Sequence, residues 1–473
     1  MKNLKKTKIV ATISDMNCDV EFISALYKAG MDVVRLNTAH QTIDGTKKII
    51  NNVRKVSDKI ALLLDTKGPE IRTMPGDGII NIKKNSIIKI KGNNNEKTTD
   101  DCIYVSYNNF VNEIEIGKRI LIDDGLIELL VIDKKDDYLI CEAKNDGTFK
   151  GKKSVNVPGV SFKLPPLNEK DIEYIKFAIE EDIDFIAHSF VRGKEDVFAI
   201  QKILDEHNSK IKIISKIENE EGVNNIDEII EASYGIMVAR GDLAIEIPFE
   251  KIPGIQKMII NKCIDARKPV IIATQMLHSM IENPRPTRAE VTDVANAIYS
   301  KADAIMLSGE TAYGKYPIEA VETMNKIAIE VEKSRSDYHK TPLKVLSTKI
   351  SAYLTRSAVE ASLELDAKAI VADTSSGRTI RNIAGYRGRK PIYAMCYDKR
   401  VVRELALSFG VMPFYISSGN TRHFIKEAMK TLLNEKAVNF NDLVVIVGGN
   451  YGTSKGATFL EINTVNDLME YKD

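Results

Sequence analysis

The run Lys212-Ile-Ile-Ser-Lys-Ile-Glu218 has the texture of a buried strand, with Ile211, Ile213, Ile214 and Ile217 supplying the apolar content. Yet Lys216 and Glu218 stand at its downstream end. Side chains alternate along a strand with period two, so these two share a face. An ammonium and a carboxylate side by side need a partner each, or a ligand. A buried salt bridge is one reading. A cation and a hard metal ligand aimed into one pocket is the other, and the rest of the chain separates them.

Runs of the same texture recur at Lys8–Ser14, Val33–Asn37, Ala61–Asp65, Asp184–Phe190, Gly235–Arg240, Pro269–Gln275 and Ala304–Gly309. Near-continuous apolar strands alternating with helical patterns signal a parallel sheet. Between them apolar residues recur three or four apart, as in Val223, Ile226, Ile229, Ile230 and in Val321, Met324, Ile327, Ala328, Val331. Eight strand–helix units predict an α/β fold, a (β/α)8 TIM barrel, whose working face lies at the C-terminal ends of the strands. Polar residues fall at those ends: Arg35 and Asn37, Asp65, Lys216 and Glu218, Asp242, Thr274, Ser308. One such coincidence would carry little; a succession of them points to a single mouth.

The barrel pattern is interrupted after its third strand. From Pro69 to Leu164, period-two runs (Ile79–Ile82, Ile87–Ile90, Leu126–Ile132) alternate with turn clusters (Gly92–Asn95, Asp123–Gly125, Asn145–Gly147). That predicts an inserted all-β domain, read as a small β-barrel, which at the mouth could act as a lid. After Lys340 come strand candidates Ala369–Asp373, Ile392–Cys396, Met412–Ile416, Leu443–Val447 and Phe459–Val465, an open-sheet α/β domain. The predicted domains are therefore a barrel over 1–68 and 165–340, a lid over 69–164 and a C-terminal domain over 341–473.

Composition sets bounds. The chain has 473 residues, enough for several cores, with 44% apolar content. Its 67 basic and 66 acidic side chains leave a net charge of +1, which argues against a nucleic-acid-binding surface. The five cysteines form no CxxC pair, so a disulfide framework is not expected and a reducing compartment fits. The apolar run Ile9–Ile13 is too short for a signal-peptide core, and no run approaches the roughly 18 apolar residues of a spanning helix. A cytoplasmic protein with no membrane partner is expected.

Glu218 and Asp242 stand at the ends of adjacent strands without His or Cys, a donor set for a hard ion such as Mg2+. Arg35-Leu-Asn-Thr-Ala-His40 joins a cation, an amide and an imidazole; Asp65-Thr-Lys-Gly-Pro-Glu-Ile-Arg72 adds a carboxylate, a hydroxyl and a second arginine. Thr374-Ser-Ser-Gly-Arg-Thr379 follows a strand and opens a helix, which suits either a phosphate or simple capping. Gly309-Glu-Thr-Ala-Tyr-Gly-Lys315 fits GxxxxGK, but Tyr316 follows where a P-loop needs a hydroxyl, so no P-loop is read there. His188, His207, His278, His339 and His423 show no metal spacing and receive no role.

Together these segments resemble the pyruvate kinase family. The resemblance is carried by Lys8–Ile13, Met31–Asn37, Asp65–Thr73, Ile213–Asn219, Met237–Leu243, Ala273–Leu277, Pro284–Glu290, Asp293–Ala297 and Ile305–Ala312, in the family's order along nearly the whole chain. It implies transfer of a phosphoryl group from phosphoenolpyruvate to ADP, giving pyruvate and ATP. By the same resemblance Arg35 is a phosphate arm and Lys216 faces the migrating phosphoryl group and the enolate. Glu218 and Asp242 hold Mg2+ or Mn2+. The Gly241 backbone and the Thr274 hydroxyl meet the substrate carboxylate, Thr274 lying near the carbon that takes the final proton. His40, Arg72 and Lys153 resemble nucleotide contacts, with Asn37 beside them. Asn37, Asp65 and Thr66 resemble ligands of K+. Thr374, Ser375, Ser376, Gly377, Arg378 and Thr379 resemble a pocket for a phosphorylated effector, a sugar phosphate or a nucleotide monophosphate. A homotetramer is implied as well. The rival readings are a degenerate paralogue that binds ligands without turnover, and another Mg2+-enolate barrel enzyme.

Departures from the family pattern are Ser14-Asp-Met-Asn17 after the first strand and Asn37-Thr-Ala-His-Gln41 after the second. Ala39 stands where a K+-ligating serine is usual, while Glu70 matches the K+-requiring branch. A weakened K+ site is expected, completed by water or by the Thr38 hydroxyl. Loop Gly448–Gly456 lacks the usual proline, and the extra C-terminal domain of some bacterial relatives is not expected.

Overall fold

The computed structural model describes residues 5–334, 348–417, 424–449 and 456–470. Eight parallel strands close a barrel: Lys8–Thr12, Val33–Asn37, Ala61–Asp65, Phe185–His188, Lys212–Ile217, Gly235–Ala239, Val270–Ala273 and Ala304–Leu307. The first pairs with the last, Lys8 opposite Ala304, which completes the ring. The strands are buried along almost their whole length, inside the ring and beneath the helices, and this is why they read as unbroken apolar runs. Helix starts obey local chemistry. Asn168 with Asp171 and Thr287 with Glu290 form reciprocal capping boxes, and the helix after the GxxxxGK segment opens on Pro317.

One helical pattern divides. The face Val223, Ile226, Ile229, Ile230 belongs to two short helices, Glu220–Asn224 and Ile226–Ala232, because Asn225 ends the first and caps the second. The GxxxxGK segment itself is a single turn, Gly309–Ala312, pinned by the buried Glu310 carboxylate, which accepts the backbone N–H groups of Leu277 and Ser308.

Between the third and fourth barrel strands the chain leaves to build the lid. A six-stranded sheet and a separate two-stranded sheet, Ile80–Ile82 with Gly147–Phe149, face a core of their own around Ile88, Ile90, Ile103, Ile120 and Leu129. The segment at Arg72 and Thr73 bridges the two edges of the six-stranded sheet, Arg72 to Ser154 beside Val155–Asn156 and Thr73 to Val105 of Cys102–Val105, which joins its ends into a ring. Side-chain contacts tie lid to barrel: Asn156 donates to Glu246 at 3.2 Å, and Ser161 donates to Glu221. Arg192, held by Asp196, donates to the Phe162 and Leu164 carbonyls of the returning strap.

The C-terminal domain is a five-stranded open sheet in the order Val411–Tyr415, Ile392–Cys396, Ala369–Thr374, Leu443–Gly448, Phe459–Thr464, the last strand antiparallel. The expected boundary at 340/341 and most of loop 448–456 lie outside the described residues. This domain docks on the N-terminal ends of the barrel strands. Arg387 pairs with Asp303, Arg403 with Asp184, and Lys8 donates to the Val411 carbonyl. The opposite, C-terminal end of the barrel stays open beneath the lid. Among the described residues no helix is long and apolar enough to cross a membrane.

Candidate active site

Lys216 projects from the fifth barrel strand into a ring of oxygens. Its Nζ lies 3.1 Å from Asp65 Oδ1 and 3.0 Å from Glu218 Oε1, and donates to Ser189 Oγ at 2.7 Å. Arg35, from the second strand, closes on the other Asp65 oxygen at 2.6 Å and donates to Thr12 Oγ1 at 3.0 Å. Asn37 sits opposite Asp65 in the strand register, and its Oδ1 accepts the Ala39 N–H. Thus the ion-pair reading of Lys216 and Glu218 holds. They are a buried ion pair, and they belong to a polar cluster at the barrel's open end.

Charge in this cluster is unevenly satisfied. Burial alone would raise the Asp65 carboxyl, but Arg35 and Lys216 outweigh it and hold the group below its ordinary value. Burial works against the Lys216 ammonium too, and Asp65 and Glu218 overcome it, so its proton is held more tightly than in water. Glu218 is the opposite case: burial pushes its carboxyl up to about 7 against the pull of Lys216, with Asp242 and Asp65 adding repulsion. Asp242 is raised as well, by burial first, opposed by Lys216 and reinforced by Asp124 and Glu70. Two carboxylates held above their ordinary values beside each other are groups that a divalent cation would relieve. Both are hard oxygen donors, so the residues fit Mg2+. Among the described residues no three His, Cys, Asp or Glu side chains converge to enclose an ion by themselves.

Asp242 opens a second region, a cleft of about 600 Å3 between barrel and lid, lined by Glu70, Arg72, Asp123, Lys153, Asn156 and Asp242 among others. Arg72 folds onto Glu70 at 2.9 Å, and Lys153 onto Asp123 at 2.9 Å. The backbones of Lys153 and Thr73 bond to each other, so the two cationic residues come from paired segments. His40 is exposed, and its backbone N–H bonds to the Asn37 carbonyl. It is not among the residues that line the cleft.

Thr274 follows the seventh strand with φ 67°, and Gln275 with φ 54°, both left-handed and uncommon for side chains with a Cβ. The Thr274 hydroxyl donates to the Ala273 carbonyl at 2.6 Å and accepts the Gly241 N–H at 2.8 Å. The backbone donor expected at Gly241 is therefore engaged with Thr274. Thr66 is buried, donates to the Ala187 carbonyl and accepts the Ser189 N–H. The Thr38 hydroxyl is also buried and donates to the Asp65 carbonyl at 2.9 Å.

Sequence reasoning missed Ser189 and the Phe190 N–H, which donates to Glu218 Oε2 at 2.7 Å. Their signal was their place at the end of the fourth strand. It also missed Asp123, which holds Lys153. At the C-terminal domain, Thr374 Oγ1 accepts the Gly377 N–H at 2.8 Å; Gly377 has φ 74° and begins the helix Arg378–Gly385. Ser375, Ser376 and Arg378 are exposed there and Thr379 partly so.

The fold and this cluster define a (β/α)8-barrel enzyme with buried cations and carboxylates gathered at the C-terminal ends of its strands. The "Pyruvate kinase, barrel domain" family model matches residues 4–321 and the "Pyruvate kinase, alpha/beta domain" model matches 353–462. A pyruvate kinase from Borreliella burgdorferi is 49% identical over 98% of both chains. One from Bacillus licheniformis is 45% identical over 98% of this chain and 81% of its own. A pyruvate kinase structure from Cryptosporidium parvum superposes with a TM-score of 0.92 at 36% identity, covering 98% of this chain and 96% of its own. The chain belongs to the pyruvate kinase family, whose reaction moves a phosphoryl group from phosphoenolpyruvate to ADP. The family generally depends on Mg2+ and K+.

Proposed function

We propose that the barrel mouth carries this reaction through Lys216, with Arg35 as the second cation. The observation that supports the reading most is the Lys216 ammonium, buried and flanked by Asp65, Glu218 and Ser189. Phosphoryl transfer asks for alignment and neutralisation more than for covalent chemistry. Arg35 and Lys216 hold the phosphoryl oxygens of phosphoenolpyruvate, and Lys216 then faces the enolate oxygen left behind. The Gly241 N–H and the Thr274 hydroxyl turn from each other to the substrate carboxylate. Thr274 lies near the carbon that is finally protonated. Bound to Glu218 and Asp242, Mg2+ or Mn2+ would supply positive charge shared by the transferring group and the enolate. Arg72 and Lys153 line the cleft toward the lid and suit the phosphates of ADP, with His40 and Asn37 at its approach.

Asn37, Asp65 and Thr66 are the proposed K+ donors. The Thr38 hydroxyl donates its hydrogen to the Asp65 carbonyl, which leaves its lone pairs able, as a water's are, to replace the side-chain oxygen that Ala39 lacks. Residues Thr374 to Thr379 form the proposed effector loop, where hydroxyls and Arg378 meet a helix start. A homotetramer in the cytoplasm completes the proposal.

A coupled assay of pyruvate formation with and without ADP tests it. Turnover should require ADP. A charge pair at 4 Å with an effective dielectric near 20 is worth roughly 4 kcal/mol, so Lys216→Met should lower kcat on the order of 10^2 to 10^3-fold while phosphoenolpyruvate still binds. Near-parental turnover in that variant would remove Lys216 from the mechanism.

A further inference from the structure

Arg240 stands at the end of the sixth barrel strand, just before Gly241 and Asp242, and has no role so far. Its side chain does not reach toward the carboxylates of the mouth. It crosses to the neighbouring strand end, where Nη2 donates to the Thr274 carbonyl at 2.7 Å and contacts Met276 Sδ at 2.9 Å. Its Nη1 pairs with Asp293 Oδ1 at 2.7 Å, on the helix Arg288–Tyr299. The guanidinium is nearly buried, with 11% of the side chain exposed. One planar group thus joins three elements, and the atom it grips belongs to the residue with the most improbable backbone at the mouth.

Thr is β-branched, and φ 67° crowds its Cβ against its own backbone; a second left-handed residue, Gln275, follows it. Such a conformation persists only where its surroundings over-determine it. Here the carbonyl is fixed by Arg240, and the hydroxyl by the Gly241 N–H and the Ala273 carbonyl. Rotation of this peptide toward ordinary values would carry the carbonyl away from Arg240 and re-aim the side chain. We propose that Arg240 and Asp293 are a positioning pair that locks the Thr274 backbone in its left-handed conformation, so that its side chain stays at the mouth, from where the hydroxyl turns from Gly241 to the substrate. The proposal rests on the role of Thr274 given above. Arginine is required because a lysine offers one point of charge and cannot grip a carbonyl and a carboxylate in one plane.

The test is a double-mutant cycle read by kcat, by KM for phosphoenolpyruvate and by deuterium uptake into the pyruvate methyl group in D2O. Thr274→Val alone should lower kcat and methyl exchange by about 10^2-fold, the usual scale for a lost proton-transfer group. Arg240→Lys, and Asp293→Asn to a smaller degree, should lower both with the KM for phosphoenolpyruvate and the Mg2+ half-saturation within about twofold of the parent. Asp293→Asn matters because it touches none of the proposed ligands. In the Arg240→Lys, Thr274→Val double variant the losses should not multiply, since one residue acts through the other. Multiplying losses, or parental exchange in both Arg240→Lys and Asp293→Asn while Thr274→Val is impaired, would overturn the positioning pair alone. Parental exchange in Thr274→Val would overturn the role of Thr274 itself and the pair with it.

Discussion

At the residue scale, the site is governed by which charges have a counter-charge and which do not. Asp65 has two cations and Glu218 has one, and the difference appears as opposite shifts in two carboxyls that share Lys216. His188 is a further buried titratable group, beside the Lys216 cluster yet turned outward. Its Nε2 shares a hydrogen with the Pro166 carbonyl at 3.3 Å, its Nδ1 has no partner, and burial pulls its pKa from 6.5 down to about 4. The sign follows directly. Between pH 6.5 and 4 the unfolded chain binds a proton here that the folded chain refuses, so stability falls as pH falls through that window, by about 3 kcal/mol in all. His188→Gln should flatten this part of the stability-against-pH curve measured by urea unfolding. Ala39 yields a second prediction at this scale. Ala39→Ser restores a side-chain oxygen near Asn37, and the K+ concentration for half-maximal rate should fall below the parent's. An unchanged value would mean that position 39 is no part of the cation site.

At the element scale, the exits from the barrel strands matter more than the strands. The third strand ends at Asp65, and three residues later Gly68 turns the chain toward the lid with φ 73°. A Cβ there would come within 2.8 Å of Ser189 Cβ and 3.2 Å of the Ser189 carbonyl. Ser189 accepts from Lys216, so the turn and Lys216 are packed through one residue. Gly68→Ala should cost about 1–3 kcal/mol of stability from backbone strain and contact, and should lower kcat as well, because relief of the clash displaces Ser189. A thermal melt together with steady-state kinetics checks both. The sequence announced a turn at Gly68-Pro69 but not its neighbour, since Ser189 lies more than a hundred residues away. The lid shows the same limit. Its period-two strands were legible, while the split into a six-stranded and a two-stranded sheet was not, because pairing depends on partners distant in sequence.

At the scale of the whole molecule, the C-terminal domain is riveted to the closed end of the barrel by buried ion pairs. Asp303 is the centre of one set: it holds Arg387 in a two-pronged pair and accepts the N–H groups of Val270 and Phe409. Removing the carboxylate leaves a buried guanidinium and two backbone donors unpaired. Asp303→Ala should destabilise the protein by about 3–5 kcal/mol, seen as a fall in the denaturation midpoint, although the residue is remote from the mouth. By itself the sequence determined the barrel strands, the insertion point, the open C-terminal sheet and the identity of nearly every charged group at the mouth. Apolar periodicity is written locally, and polar residues at strand ends break it visibly. Only the tertiary structure decided that Lys216 lies between Asp65 and Glu218, that Thr274 sits in a left-handed bend under Arg240, and that Asp123 holds Lys153 at the cleft. Those facts are distances between residues far apart in the chain, and a one-dimensional pattern carries no distances.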